Sequence, residues 1–112
     1  MHELGISRNI VAIVSDAAKG RRVCRVTLEI GRLSGVLTDA VAFCFDAVSQ
    51  GTVVAGAALE IREIEGRARC AACGAEFPVP QLPAACTCGS RRSTLVAGEE
   101  LNIKSMELEE VA

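Results

Sequence analysis

RARCAACGAEFPVPQLPAACTCGSRRST, residues 67–94, is the stretch on which the fold of this 112-residue chain turns. It holds all three prolines and four of the six cysteines, with few large apolar side chains. Such a segment cannot build a hydrophobic core of its own. The chain on either side of it reads as helix and strand. The segment is therefore expected to be a metal module, residues 67–94, inserted into a discontinuous domain made of residues 1–66 and 95–112.

Within the insert the first pair is Cys70-Ala-Ala-Cys73-Gly74, and the second, with twelve residues between Cys73 and Cys86, is Cys86-Thr-Cys88-Gly89. In a Cys-x-x-Cys-Gly turn two thiolates converge on one ion, backbone amides point at sulfur, and glycine admits the tight turn. Two such turns facing each other predict a tetrahedral site formed by Cys70, Cys73, Cys86 and Cys88. Four sulfur ligands select zinc over harder metals and leave no position for water. Unconnected free thiols or a redox Cys-x-x-Cys are the competing readings. The second arm is one residue shorter than the usual knuckle, so Cys86 is expected to reach the metal from a different backbone geometry. Cys24 and Cys44 are expected to be small buried hydrophobes rather than ligands.

Outward from the insert, periodicity gives the rest. Ile6, Ile10, Ile13, Val14 and Ala17 recur at helical spacing over residues 3–19, and Gly20 can supply a left-handed residue past the end. Residues 23–30 alternate, with Cys24, Val26, Leu28 and Ile30 on one face and Arg25, Thr27 and Glu29 on the other. A second helix is predicted from Thr38, whose hydroxyl can cap it, to a stop at Gly51, with Val41, Phe45 and Val48 inward. Residues 57–65 and 100–109 read as two further strands. In the last, Leu101 and Ile103 are out of phase with Met106 and Leu108, which predicts a bulge near Lys104 and Ser105. The fold class is therefore α+β: two helices packed on a small three-stranded sheet, with an inserted zinc-ribbon-like module.

Half of the residues are hydrophobic, yet there is no Trp, no Tyr and only three Phe, so the core must be aliphatic. A net charge of −2 argues against broad binding to nucleic acid or anionic membrane. No apolar run approaches the roughly 20 residues that span a bilayer. The N-terminus lacks the basic and apolar regions of a signal peptide, and a cytoplasmic location is expected.

His2 is the only histidine. A solvated terminal residue is the plain reading, but its position allows another. The Met1 amine, the His2 amide and the His2 imidazole can close adjacent chelate rings on one ion, and the Glu3 amide would complete a four-nitrogen set. All-nitrogen tetragonal sites suit Ni(II) or Cu(II) and exclude Mg(II) and Ca(II).

The start Met-His-Glu-Leu-Gly-Ile, the strand Val26-Thr-Leu-Glu-Ile-Gly31 leading to Leu33-Ser34-Gly35, and Phe43-Cys-Phe-Asp46 resemble the HypA/HybF family of hydrogenase maturation factors. So do Gly56-Ala-Ala-Leu-Glu-Ile61, the four-cysteine insert with Cys88-Gly-Ser90, and Gly98-Glu-Glu-Leu-Asn-Ile-Lys104. The resemblance covers nearly the whole chain in order. It implies nickel binding at Met1, His2 and Glu3, and structural zinc at Cys70, Cys73, Cys86 and Cys88. The family's second knuckle is usually Cys-x-x-Cys, which would put a cysteine at position 85. Here Ala85 stands there and Cys86 follows.

The resemblance implies a nickel metallochaperone that delivers Ni(II) for NiFe hydrogenase maturation, not an enzyme. Implied partners are a HypB-type GTPase and the hydrogenase large-subunit precursor, with urease accessory proteins for some members. A monomer or weak homodimer is expected, without nucleic-acid or membrane binding. The alternative is a zinc-ribbon module contacting protein or nucleic acid, to which Arg67, Arg69, Arg91 and Arg92 lend local positive charge. Against nucleic acid stand the acidic whole and the lack of aromatic groups for base stacking. No nucleophile–base pair is visible, and Gly31-Arg-Leu-Ser-Gly35 lacks phosphate-loop spacing.

Overall fold

The computed structural model describes residues 2–110. Helix α1 spans Glu3–Ala18 and buries Ser7, Ile10, Val11, Val14 and Ala18. That stripe is rotated from the expected one. Ile13 is exposed and Ala17 lies outward, because the helix must also seat Ser7, whose hydroxyl donates to the Val41 carbonyl at 3.2 Å. Ile13 instead lines an open apolar groove of about 490 Å³ with Ile6, Ile10, Leu101 and Ile103. At the C-terminal end Lys19 (φ 51°) is left-handed, followed by Gly20 at φ 85°.

Strand β1, Val23–Gly31, carries the core face Val26, Leu28 and Ile30, each almost fully buried. Helix α2, Thr38–Ser49, buries Val41 and Phe45 against it, and β2, Ala58–Ile64, pairs parallel with β1. The unit β1–α2–β2 is thus a crossover, with the helix returning the chain so that both strands run the same way. The Gly66–Gly98 segment intervenes before β6, Leu101–Leu108, which pairs antiparallel with the other edge of β1, giving the order β2-β1-β6. The expected two helices and three-stranded sheet are all present. The face of the sheet away from the core is a charge ladder: Arg25 lies 3.7 Å from Glu60 and 3.6 Å from Glu107, and Lys104 lies 3.6 Å from Glu29. Exposed pairs of this kind contribute about 0–1 kcal/mol each and mainly keep that face in water.

Two bulges set the register. Opposite Thr27 and Leu28, β6 offers Ser105 and Ile103, so Lys104 is the extra residue where the phase change was expected. The second bulge leaves no mark in the alternation of residues 23–30. Val23 and Arg25 face Leu108 and Glu107, which leaves Cys24 as the extra residue on β1. The inward phase therefore passes to Val23, and Cys24 is exposed rather than buried. Cys44 is half-buried, on the flank of α2.

The start of α2 also departs from expectation. Thr38 is inside the helix, and the cap position falls to Leu37, which has no side-chain oxygen. Glu3 of α1 substitutes: its carboxylate accepts the Leu37 N–H at 3.2 Å. A capping-box glutamate bonds the cap N–H of its own helix, and here the neighbouring helix supplies it. Since Glu3 meets Leu37 and Ser7 meets Val41 one turn later, the two helices run parallel with their N-termini side by side.

A second sheet of order β4-β3-β5 forms from β3, Arg67–Cys70, β4, Glu76–Pro78, and β5, Ser93–Ala97. The expected boundary at 94/95 falls within β5. The two lobes do not share a core. The radius of gyration is 17.4 Å, against roughly 13 Å for a compact domain of about 100 residues. They join at a point of backbone-on-backbone contact. A Cβ on Gly31 would lie 2.0 Å from the Gly98 carbonyl oxygen, and one on Gly66 would lie 2.3 Å from that of Val79. The Leu33 N–H donates to the Gly98 carbonyl at 2.7 Å, and the Val79 N–H to the Gly66 carbonyl at 2.8 Å. Among the described residues no helix is long and apolar enough to cross a membrane.

Replacing Gly31 by Ala should push the two chain segments apart and cost about 3 kcal/mol of stability, as overpacking against immovable backbone does. Gly5→Ala is the control. It meets only the His2 Cβ, at 4.0 Å, and should stabilise α1 by about 0.5–1 kcal/mol. Urea unfolding midpoints measure both, and equal midpoints for Gly31→Ala and the native chain would show that the junction tolerates a methyl group.

Candidate metal centres

The four insert cysteines converge. Their sulfur atoms all lie within 4.8 Å of one another. Cys70 and Cys88 are 3.6 Å apart, as are Cys73 and Cys86. With zinc–sulfur bonds of about 2.3 Å, the edge of a regular tetrahedron is about 3.8 Å. A disulfide would require about 2.05 Å. The donor set and its spacing fit a structural zinc ion with four protein ligands.

Local backbone geometry builds the two arms alike. In the first, the Gly74 N–H donates to the Cys70 carbonyl at 3.0 Å and the Cys70 N–H to the Ala75 carbonyl at 2.9 Å. In the second, the Gly89 N–H donates to the Cys86 carbonyl at 2.9 Å and the Cys86 N–H to the Ser90 carbonyl at 3.0 Å. Each bond spans one residue fewer in the second arm, and the pattern is otherwise the same. The short Cys-x-Cys arm is thus a contracted knuckle, closed by a glycine at φ 95° where the first arm has one at φ 78°. In both arms the first cysteine, Cys70 or Cys86, is buried and the second, Cys73 or Cys88, is exposed. The other buried apolar residues of the module are Ala68 and Val79, so there is little besides the metal to hold it.

The arms are also polarised for an ion. The Cys73 N–H, assisted by that of Ala72, points at the Cys70 sulfur and lowers its pKa to about 6. The Ser90 N–H favours the Cys88 thiolate, but the neighbouring Cys86 and Cys70 sulfurs outweigh it and push that thiol up to about 11. The Ala75 N–H does the same for Cys73, and again the Cys86 and Cys70 sulfurs prevail and raise it. Clustered sulfurs cannot all ionise unless a cation lies among them.

At the other end of the chain, Met1 lies outside the described residues. His2 is exposed immediately before α1, and its carbonyl accepts the Ile6 N–H at 3.0 Å. Glu3 is half-buried. The Leu37 N–H, and next its own amide, hold its carboxyl below the usual range. Its side chain therefore already has a structural partner, which spacing alone does not reveal. Asp39 is exposed in the first turn of α2. Of the insert arginines, Arg67 and Arg69 both pair with Glu76, at 3.6 and 3.0 Å. Arg91 and Arg92 are exposed and form no ion pair among the described residues.

An α+β domain carrying a four-thiol module defines a small metal-binding protein. The family model described as "Hydrogenase/urease nickel incorporation, metallochaperone, hypA" matches residues 1–108. The hydrogenase maturation factor HypA of Trichormus variabilis is 57% identical over 111 residues, 99% of this chain and 98% of that protein. That of Geobacter metallireducens is 47% identical over 110 residues, 97% of this chain and 100% of the relative. The solution structure of the Ni metallochaperone HypA from Helicobacter pylori superposes with a TM-score of 0.69 at 24% identity, covering 96% and 97% of the two chains. A second HypA solution structure gives 0.73 at 23% identity, with 97% of each covered. The chain belongs to the HypA family.

Zinc uptake by the metal-free protein at pH 7 should displace protons from at least Cys73 and Cys88, because both stay protonated there while Cys70 is largely ionised. Protons compete with the metal, so affinity should fall as pH falls. With at least two protons displaced, the loss is about 100-fold or more per pH unit near neutrality. Competition against a chromophoric chelator at pH 6.5 and 7.5 reads this, and a pH-independent affinity would exclude ligation by those thiols.

Proposed function

We propose that this chain is a nickel metallochaperone that supplies Ni(II) for maturation of NiFe hydrogenase, with a resident zinc ion in the insert. The observation that carries the reading is the match of the nickel-incorporation family model from residue 1 to residue 108, which takes in Met1, His2 and Glu3 as well as the cysteines.

The two metals divide the work. Zinc is held by Cys70, Cys73, Cys86 and Cys88, a closed set with no open position, and serves as scaffolding. Nickel is held by the Met1 amine, the His2 amide and imidazole, and the Glu3 amide. That set suits the structure around it. The amides of a helix's first turn have no carbonyl of a preceding turn to bond, so ligation by the Glu3 nitrogen breaks no helical hydrogen bond and gives up only that N–H's contact with the Glu3 carboxylate. The Glu3 carboxylate meanwhile stays on Leu37. Amine, amide and imidazole must all lose protons to bind, so acid favours release.

The boundary between the parts falls at Gly66 and Gly98, giving a zinc module of residues 67–97 and a nickel-binding domain of the remainder. The protein works with a HypB-type GTPase and the hydrogenase large-subunit precursor, and the family description extends the role to urease. The site transfers a metal and catalyses nothing.

Calorimetric nickel titration tests the reading on three forms: native, His2→Ala, and a chain with residues added before Met1. Both changes should abolish tight binding. Unchanged affinity in either would remove the N-terminal site.

A further inference from the structure

Helix α2 has a face that the fold leaves unused. Val41, Phe45 and Ser49 point inward and are buried. The outward stripe is Asp39, Ala42, Phe43, Asp46 and Ala47, all exposed. Phe43 is 78% exposed in a chain with three Phe and no Trp or Tyr. Asp39 lies four residues before it and Asp46 three after, so both carboxylates flank the ring on one side of the helix. Ala42 and Ala47 are short, and the ring stands above its surroundings.

The carboxylates of this stripe, Asp39 and Asp46, have no cationic side-chain partner among the described residues. Helix α2 itself contains no Lys or Arg. The charge ladder on the far side of the sheet, by contrast, pairs acid with base throughout. An aromatic anchor between two unpaired carboxylates is complementary to an apolar pocket rimmed by Lys or Arg. A second copy of the chain is a poor occupant, because a two-fold contact would set the aspartates of both copies against one another. The location narrows the partner further. The stripe starts at the end of α2 that is tied to α1 through Leu37 and Glu3, the residue that follows His2 in the chain.

We propose that Asp39, Phe43 and Asp46 form the docking surface for the apoprotein that accepts the metal, which buries Phe43 in an apolar pocket bordered by basic side chains. The proposal rests on the nickel-carrier reading above. Docking there brings the acceptor alongside the N-terminus, so the metal passes between adjacent ligand sets without a free ion.

The test uses the full-length chain and purified NiFe hydrogenase large-subunit precursor as probe. Phe43→Ser should weaken binding to the precursor at least tenfold. Asp46→Lys should weaken it strongly at low salt, with the difference from native shrinking as salt rises and screens the charges. Nickel titration of both variants should match native, since neither residue belongs to the N-terminal site. Native-like binding by both variants would overturn the proposal, as would failure of the native chain to bind the precursor. It is equally overturned if the variants lose affinity for a HypB-type GTPase while keeping it for the precursor. A native chain that takes up no nickel at its N-terminus sinks the carrier reading instead, through a separate readout.

Discussion

The contact of Gly31 with Gly98 is the constraint that organises the molecule. The ends of β1 and β2 and the entry to β6 all pass within backbone contact of one another there, at a spacing that no Cβ could enter. Because β1 and β2 are parallel, both deliver their chains to the same edge of the domain. Helix α2 must return antiparallel to them, so its N-terminus lies at that edge, and Glu3 brings the N-terminus of α1 to it. The zinc module leaves from the same place. The start of α1 and the root of the four-cysteine module, more than sixty residues apart in sequence, are thus gathered at one end of the sheet, outside the carboxyl ends of its parallel strands, where ligand sites of open α/β sheets generally lie.

The zinc module shows what a metal contributes when a core is absent. Ala68, Val79 and two buried sulfurs are all that its interior offers. The backbone compensates by aiming amides at sulfur, which draws Cys70 toward the thiolate before any metal arrives. The Cys73 and Cys88 sulfurs resist ionisation because of the sulfurs beside them. A divalent ion reverses that balance, and the binding energy becomes folding energy. The contracted second arm keeps the same closure with one residue less, so a Cys-x-Cys pair serves where a Cys-x-x-Cys pair would be expected.

The N-terminal end is electrostatically the opposite case. Two parallel helices present the positive ends of their dipoles side by side, which disfavours a cation. Glu3 and Asp39 in the first turns offset part of that field. On the reading proposed above, deprotonated amides at the N-terminus would supply further compensating charge to a nickel ion, and reprotonation would remove it.

Much of this was legible in the residues themselves. Periods of 3.6 and 2 placed both helices and the three main strands. The phase change in β6 located its bulge at Lys104, and the cysteine spacing located a four-sulfur cluster. Those features depend on neighbours close in sequence, where geometry is fixed by the chain. The tertiary structure decided the rest. It exposed Cys24 through a bulge set by β6, more than eighty residues away along the chain. It turned α1 so that Ser7 rather than Ile13 faces inward, and it gave the cap of α2 to Glu3 instead of Thr38. The short strands of the zinc module, too brief for any periodicity to show, appear only as pairs. Each of these outcomes is a choice of partner between distant segments, which a linear pattern does not encode. The shared end of the sheet, where α1 begins and the four-cysteine module leaves, follows from the same kind of choice, the parallel pairing of β1 with β2.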